Sequence, residues 1–160
     1  MAGALFLCLL LPAGCKIRTP EQYNASSEIV GETISVTLEI RCDTALQYTG
    51  DLEEAVAEIL PEDGVLLEKQ SFDMEQQATV YDLLLRAAKE SGLVVDVQGS
   101  GSSAYIRGIG GLGEFACGDL SGWTFSVNGE FPGKGCGSVL LREEDEVAFL
   151  YSCDLGKDLK

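Results

Sequence analysis

The segment 79–91 constrains the fold more than any other part of the chain. Val80, Leu83, Leu84, Ala87 and Ala88 recur at helical spacing, while Asp82, Arg86, Lys89 and Glu90 fall off that stripe. Thr79 and Asp82 form a capping-box pair at its start, and Gly92 supplies a left-handed stop. Nothing else in the chain offers a comparable second helix, so this apolar stripe has to bury itself against a sheet. Strands to build one are present. Residues 34–40 alternate apolar and polar with β-branched enrichment, and 65–74 reads as extended. Residues 93–97, 104–106, 123–127 and 147–151 complete the set. Asn128-Gly129 is a strong hairpin signal, with Glu130-Phe131 opening the return strand. A shorter helix is expected over 51–60, where Leu52, Ala55, Val56 and Ile59 keep helical spacing before Pro61. The expected class is α+β, a mixed sheet packed on one main helix.

Charge and composition remove several functions. The net charge of -15 comes from 26 acidic against 11 basic residues, and the acids are spread along the chain. Nucleic acid is excluded as a partner, because phosphate neutralisation needs a basic face. The same surface is repelled by anionic headgroups, so membrane association has to come through an anchor. The local acidic groups, Asp51, Glu53 and Glu54 and the 143–146 run, read as solvated surface and not as a metal site. Histidine is absent, which removes the commonest general base, the commonest zinc ligand and the Ser/His and Cys/His nucleophile pairs. A non-enzymatic role is expected.

The first residues carry an address. The apolar run 4–11 is too short to span a bilayer as a helix, which takes about 20 residues, and reads as a signal-peptide core. It leads into Pro12-Ala13-Gly14-Cys15, which resembles the lipobox of bacterial lipoproteins, and that resemblance makes Cys15 the lipidated residue. Pro12 stands where the lipobox favours leucine, and no basic residue precedes the apolar run. The expected organisation is a lipoprotein signal peptide over 1–14, the lipidated Cys15 with a flexible tether over 15–33, and one domain over 34–160. The expected location is the outer face of the bacterial cytoplasmic membrane.

Export makes disulfides the expected state of Cys42, Cys117, Cys136 and Cys153. Four cysteines allow three connectivities. A zinc site built from them lacks any CxxC spacing. If the first and last strands are adjacent and parallel, Cys42 and Cys153 emerge at the same end and pair, which leaves Cys117 and Cys136 to bracket the hairpin that follows Trp123.

An ordered series of motifs then becomes recognisable: Ser103-Ala-Tyr-Ile-Arg-Gly-Ile109, Leu112, Glu114-Phe115-Ala-Cys117-Gly118, Ser121-Gly-Trp123, Val127-Asn-Gly129, Pro132, Gly135-Cys136 and the tail 151–158. Over 34–160 the chain resembles the bacterial lipoprotein branch of the transcobalamin-like C-terminal domain family. The resemblance implies a β-grasp-like mixed sheet on one helix, with the first and last strands central and parallel. Glu144 stands where that family's turn before the last strand usually carries glycine. The family's small domain closes over cobalamin together with a larger helical barrel domain, and no such barrel is expected within these 160 residues. A corrinoid ligand taken up at the cell surface is therefore implied, handed on to a separate barrel-type surface protein or transporter.

The resemblance places Trp123 against the corrin ring, with Tyr105, Phe115 and Phe131 as neighbours and Asn128 as a donor to a corrin amide. The competing assignments are structural: a core tryptophan, and an Asn-Gly turn that already accounts for Asn128. The glycine-rich 108–113 segment neither follows a βαβ strand nor opens a helix, so it is not read as a phosphate loop. Against the ligand-binding function stands a structural or interaction module that docks another surface protein or cell-wall glycan.

Overall fold

In the computed structural model, residues 32–48, 52 and 54–159 are described; Cys15 and the 1–14 segment lie outside them. They fall within one compact unit, Gly31–Lys160. Its elements are β1 (Thr33–Arg41), α1 (Asp43–Gln47), α2 (Glu54–Ala57), β2 (Val65–Glu75), α3 (Val80–Ser91), β3 (Val95–Gln98), β4 (Tyr105–Ile109), β5 (Leu112–Gly113), β6 (Gly122–Val127) and β7 (Glu146–Ser152). The architecture is mixed α+β, and among the described residues α3 is the one helix of more than a turn or so.

Helix α3 begins and ends as its sequence requires. The Thr79 side chain accepts a hydrogen bond from the Asp82 N–H at 3.2 Å, and the Asp82 carboxylate accepts from the Thr79 N–H at 2.8 Å. Gly92 closes the helix at φ 74°, a conformation that glycine adopts without steric cost. Val80, Leu83, Leu84, Ala87 and Ala88 are all buried. Each of the two leucines contributes on the order of 1.5–3 kcal/mol by leaving water.

The helix packs on a four-stranded sheet ordered β2-β1-β7-β6. β1 and β7 are central and parallel, with Thr37 opposite Glu146 and Arg41 opposite Leu150. Period-two alternation then sends Ile34, Val36, Leu38 and Ile40 of β1 and Val147, Phe149 and Tyr151 of β7 into the interior. A second, three-stranded sheet, β3-β4-β5, stands beside it. Among the described residues no helix is long and apolar enough to cross a membrane.

Three expectations are corrected. Of the helix expected over 51–60, only Glu54–Ala57 is helical among the described residues, and the chain turns from residue 58. The Asn128-Gly129 turn forms, but the return strand does not. Glu130 makes one bridge back to Val127, after which Pro132 and the glycines at 133 and 135 carry the chain away, and β6 pairs with β7 instead.

The two expected disulfides are also absent. Cys42, Cys117, Cys136 and Cys153 are free thiols. Cys117 and Cys136 cannot meet around a hairpin that does not return, and they lie in different core clusters. The 135–138 segment is pressed onto the 100–104 turn, so closely that a Cβ on Gly137 would fall 1.8 Å from the Gly101 carbonyl oxygen. Cys42 and Cys153 do emerge at one end of the parallel pair, within the same cluster, but are not bonded.

The turn before β7 takes the geometry that glycine would favour. Glu144 has φ 64° and an exposed side chain, while its N–H donates to the Ser35 carbonyl at 2.8 Å. The left-handed backbone costs a non-glycine residue roughly 1–2 kcal/mol, partly offset by the greater freedom of an unfolded glycine. Glu144→Gly is expected to raise unfolding stability by about 0.5–1 kcal/mol, measured by denaturant titration. Unchanged or lower stability would show that the glutamate side chain contributes to the turn.

Candidate functional site

One side of the molecule gathers aromatic side chains. β4 packs beside β6, which brings Tyr105 toward Trp123, and the 131–136 segment runs alongside. The result is two adjoining depressions of about 390 and 570 Å³ that share Tyr105, Trp123, Thr124 and Phe131 as walls. Phe115 stands on the rim of the larger one. Four of the five sequence-predicted ligand residues, Tyr105, Phe115, Trp123 and Phe131, therefore line one groove.

Trp123 is the fixed floor. It is half-buried, its indole N–H donates to the Leu112 carbonyl at 2.8 Å, and its ring meets Tyr151 edge-on with centroids 5.3 Å apart. It packs against both core clusters. Structural and lining roles thus coexist in one side chain. The other three aromatics are open to water, with Tyr105 51%, Phe115 59% and Phe131 48% exposed. The Tyr105 hydroxyl donates to Glu114 at 2.6 Å; that bond, followed by partial burial, raises its pKa.

Asn128 lies elsewhere. Its side-chain amide donates to Asp145 at 2.8 Å, its carbonyl oxygen accepts from the Glu146 N–H at 2.9 Å, and its φ of 53° is one that asparagine tolerates. These bonds latch the turn to the start of β7, and Asn128 is not among the residues lining the groove.

The larger depression has walls that the sequence did not single out. Leu120 and Leu155 are exposed and face it, with Asp119, Ser152 and Lys157 as polar neighbours. Leu155 and Phe115 both hold left-handed backbone, at φ 49° and φ 66°. Such conformations are unfavourable for bulky residues and persist only where the surroundings over-determine them.

The surroundings here do so. The Phe115 N–H donates to the Ser121 carbonyl at 3.0 Å, and the Gly118 N–H donates to the Phe115 carbonyl at 3.1 Å. The Ser121 hydroxyl accepts from the Cys117 N–H at 3.0 Å and sits 3.1 Å from the buried Tyr151 hydroxyl, which donates to the Gly113 carbonyl at 2.8 Å. Burial pushes the Tyr151 phenol up to about 12, so it stays protonated. On the other side, the Leu155 N–H donates to the Leu120 carbonyl at 3.0 Å and so joins the two rim loops. Among the described residues no cluster of three or more acidic or cysteine side chains could hold a metal ion.

A family model described as a domain of unknown function (DUF4430) matches residues 78–152. No curated protein matches the chain. Among solved structures, haptocorrin in complex with Cbi is similar at a TM-score of 0.54 and 17% identity, over 78% of this chain. The match spans 26% of the haptocorrin chain, about a quarter of its length. A candidate metal-binding protein from Ruminococcus gnavus is similar at a TM-score of 0.45 and 10% identity, over 74% of this chain and 96% of that one. The likeness to haptocorrin is one of fold.

The turn that carries Leu155 depends on one carboxylate. Asp158 accepts from the Cys153 N–H at 2.7 Å and from the Ser152 hydroxyl. Partial burial pushes its pKa up, but these hydrogen bonds outweigh it and hold the group below its ordinary value of 3.8. A depressed folded-state pKa contributes stability that is present above the unfolded value and is lost as pH falls through the folded one. The turn is therefore expected to loosen below about pH 4. Asp158→Asn should speed amide exchange at 153–157 at neutral pH and flatten its acid dependence, as read by hydrogen exchange. Identical exchange in both proteins would remove the latch.

Proposed function

We propose that this chain is a non-catalytic ligand-binding domain that takes a corrinoid, cobalamin or a relative of it, on the Trp123 groove. The observation that carries the reading is the convergence of Tyr105, Phe115, Trp123 and Phe131 on one open groove, three of them exposed to solvent. Flat aromatic walls suit a broad, largely apolar macrocycle. Histidine is absent from the chain, and the groove offers hydroxyls and carboxylates without an evident nucleophile and base pair. The fold shared with part of haptocorrin supports the choice of ligand class.

The lipobox-like 12–15 sequence supports placement of the domain at the outer face of a bacterial cytoplasmic membrane, tethered through Cys15. Because the groove is open on one side, a separate barrel-type surface protein or transporter is the proposed receiver of the ligand.

The chain has a single tryptophan, and it stands at the site. Titrating the protein bearing Cys15→Ser with cyanocobalamin and cobinamide should quench Trp123 fluorescence saturably and release or absorb heat in calorimetry. Phe131→Ala should weaken binding about tenfold, the loss of about 1.4 kcal/mol, with little change in stability. No heat and no spectral change at high micromolar corrinoid would sink the ligand reading in favour of a docking module using the same apolar rim.

A further inference from the structure

Two of the four thiols stand on the loops that frame the groove. Cys117 follows Phe115 by two residues, and Cys153 precedes Leu155 by two. The backbones of these loops are already joined by the Leu155 to Leu120 hydrogen bond. Both cysteines pack in the smaller core cluster, with Cys42, Leu112 and Tyr151. Within that cluster Cys117 and Cys153 lie close enough for each to shift the other's ionisation, whereas Cys42 acts only on Cys117 and more weakly. Cys136 packs in the larger cluster and has no place in this arrangement.

We propose that, among the four cysteines of the described domain, Cys117 and Cys153 are the disulfide-forming pair, and that their bond ties the Phe115 loop to the Leu155 turn. This pairing differs from both pairings expected from the sequence, and it holds whether or not the groove takes a corrinoid. The oxidant is a disulfide, of a small thiol or of a protein, acting by exchange.

Order of attack is set by burial. Burial raises both thiols, Cys117 to about 12, but Cys117 is buried while Cys153 is partly exposed and so meets the donor first. The Cys153 thiol loses its proton and attacks one sulfur of the donor, forming a mixed disulfide and releasing one thiolate. Cys117 then loses its proton and attacks the Cys153 sulfur, forming the Cys117–Cys153 bond and releasing the second thiolate. Two protein thiols are oxidised and the donor disulfide is reduced to two thiols, so protons and electrons balance.

Trypsin separates the four cysteines, because cleavage after Arg41, Lys69, Lys134 and Arg142 leaves each on its own peptide. The full chain bearing Cys8→Ser and Cys15→Ser would be incubated with oxidised glutathione, alkylated, digested without reduction and mapped by mass spectrometry. The expected product is a peptide joining Cys117 to Cys153, with Cys42 and Cys136 alkylated once the protein is unfolded. Cys117→Ser should trap glutathione on Cys153, and Cys136→Ser should leave the linked peptide unchanged. Oxidation should also slow amide exchange over 113–121 and 153–158 at least about tenfold, reversibly with dithiothreitol. A dominant link between Cys42 and Cys153 or between Cys117 and Cys136, or four unlinked thiols, would overturn the proposal.

Discussion

The parallel pairing of β1 with β7 is the contact on which everything else depends. It joins the two ends of the described domain, and with no hairpin to enforce it the pair has to be held by what covers it. Leu38 and Ile40 are completely buried, with Val147 and Phe149 nearly so, and α3 lies across them. Because the strands run the same way, their C-terminal ends emerge together. That places Cys42, the start of α1 and the Ser152–Asp158 turn side by side. The Thr44 hydroxyl donates to the Tyr151 carbonyl across this end. β7 then has its other edge free for β6, which delivers Trp123 opposite Tyr151.

Tyr151 connects this frame to the groove. It is nearly fully buried in the middle of the smaller cluster, yet its hydroxyl reaches the Gly113 carbonyl and the Ser121 hydroxyl, on the loop that presents Phe115. A buried phenol without partners would cost free energy, so the loop is folded around it in a particular way. The left-handed backbone of Phe115 is sustained by that arrangement and not by any local preference of phenylalanine. The side chain is thereby held out over water where a purely hydrophobic account would bury it.

What could be read from the sequence depends on the range of the forces involved. The helix cap, its stop and its buried face depend on residues within four positions of each other, and the structure has them as expected. Strand faces were legible for the same reason, since alternation in 34–40 and 147–151 is local. The hairpin failed because Asn128-Gly129 specifies a turn but not the path of the chain beyond it, and Pro132 with its neighbouring glycines decides that path. The cysteine partners failed with it, since Cys136 is positioned by the close approach of Gly137 to the Gly101 turn, a contact with no periodic signature. Tyr105, Phe115, Trp123 and Phe131 were reached through the family resemblance of the motifs that carry them, not through periodicity. Leu120 and Leu155 were not reached, because nothing in a leucine's neighbours announces that it will be exposed in a strained turn.

The groove therefore has two kinds of wall, and they differ in how they are held. Trp123 is fixed by the sheet, by its indole hydrogen bond and by contact with both clusters. Phe115 and Leu155 are fixed by hydrogen-bonded loops whose backbones are individually unfavourable. A ligand seated on the floor gains from a surface that barely reorganises, which keeps the ordering cost of binding low. The rim is different. Its geometry depends on a few hydrogen bonds, the Tyr151–Ser121 contact and the Asp158 latch among them, so affinity for anything that touches the rim is coupled to the integrity of those loops. Floor and rim together make a groove whose floor is set by the sheet and whose edge depends on the loops packed over the smaller cluster beneath it.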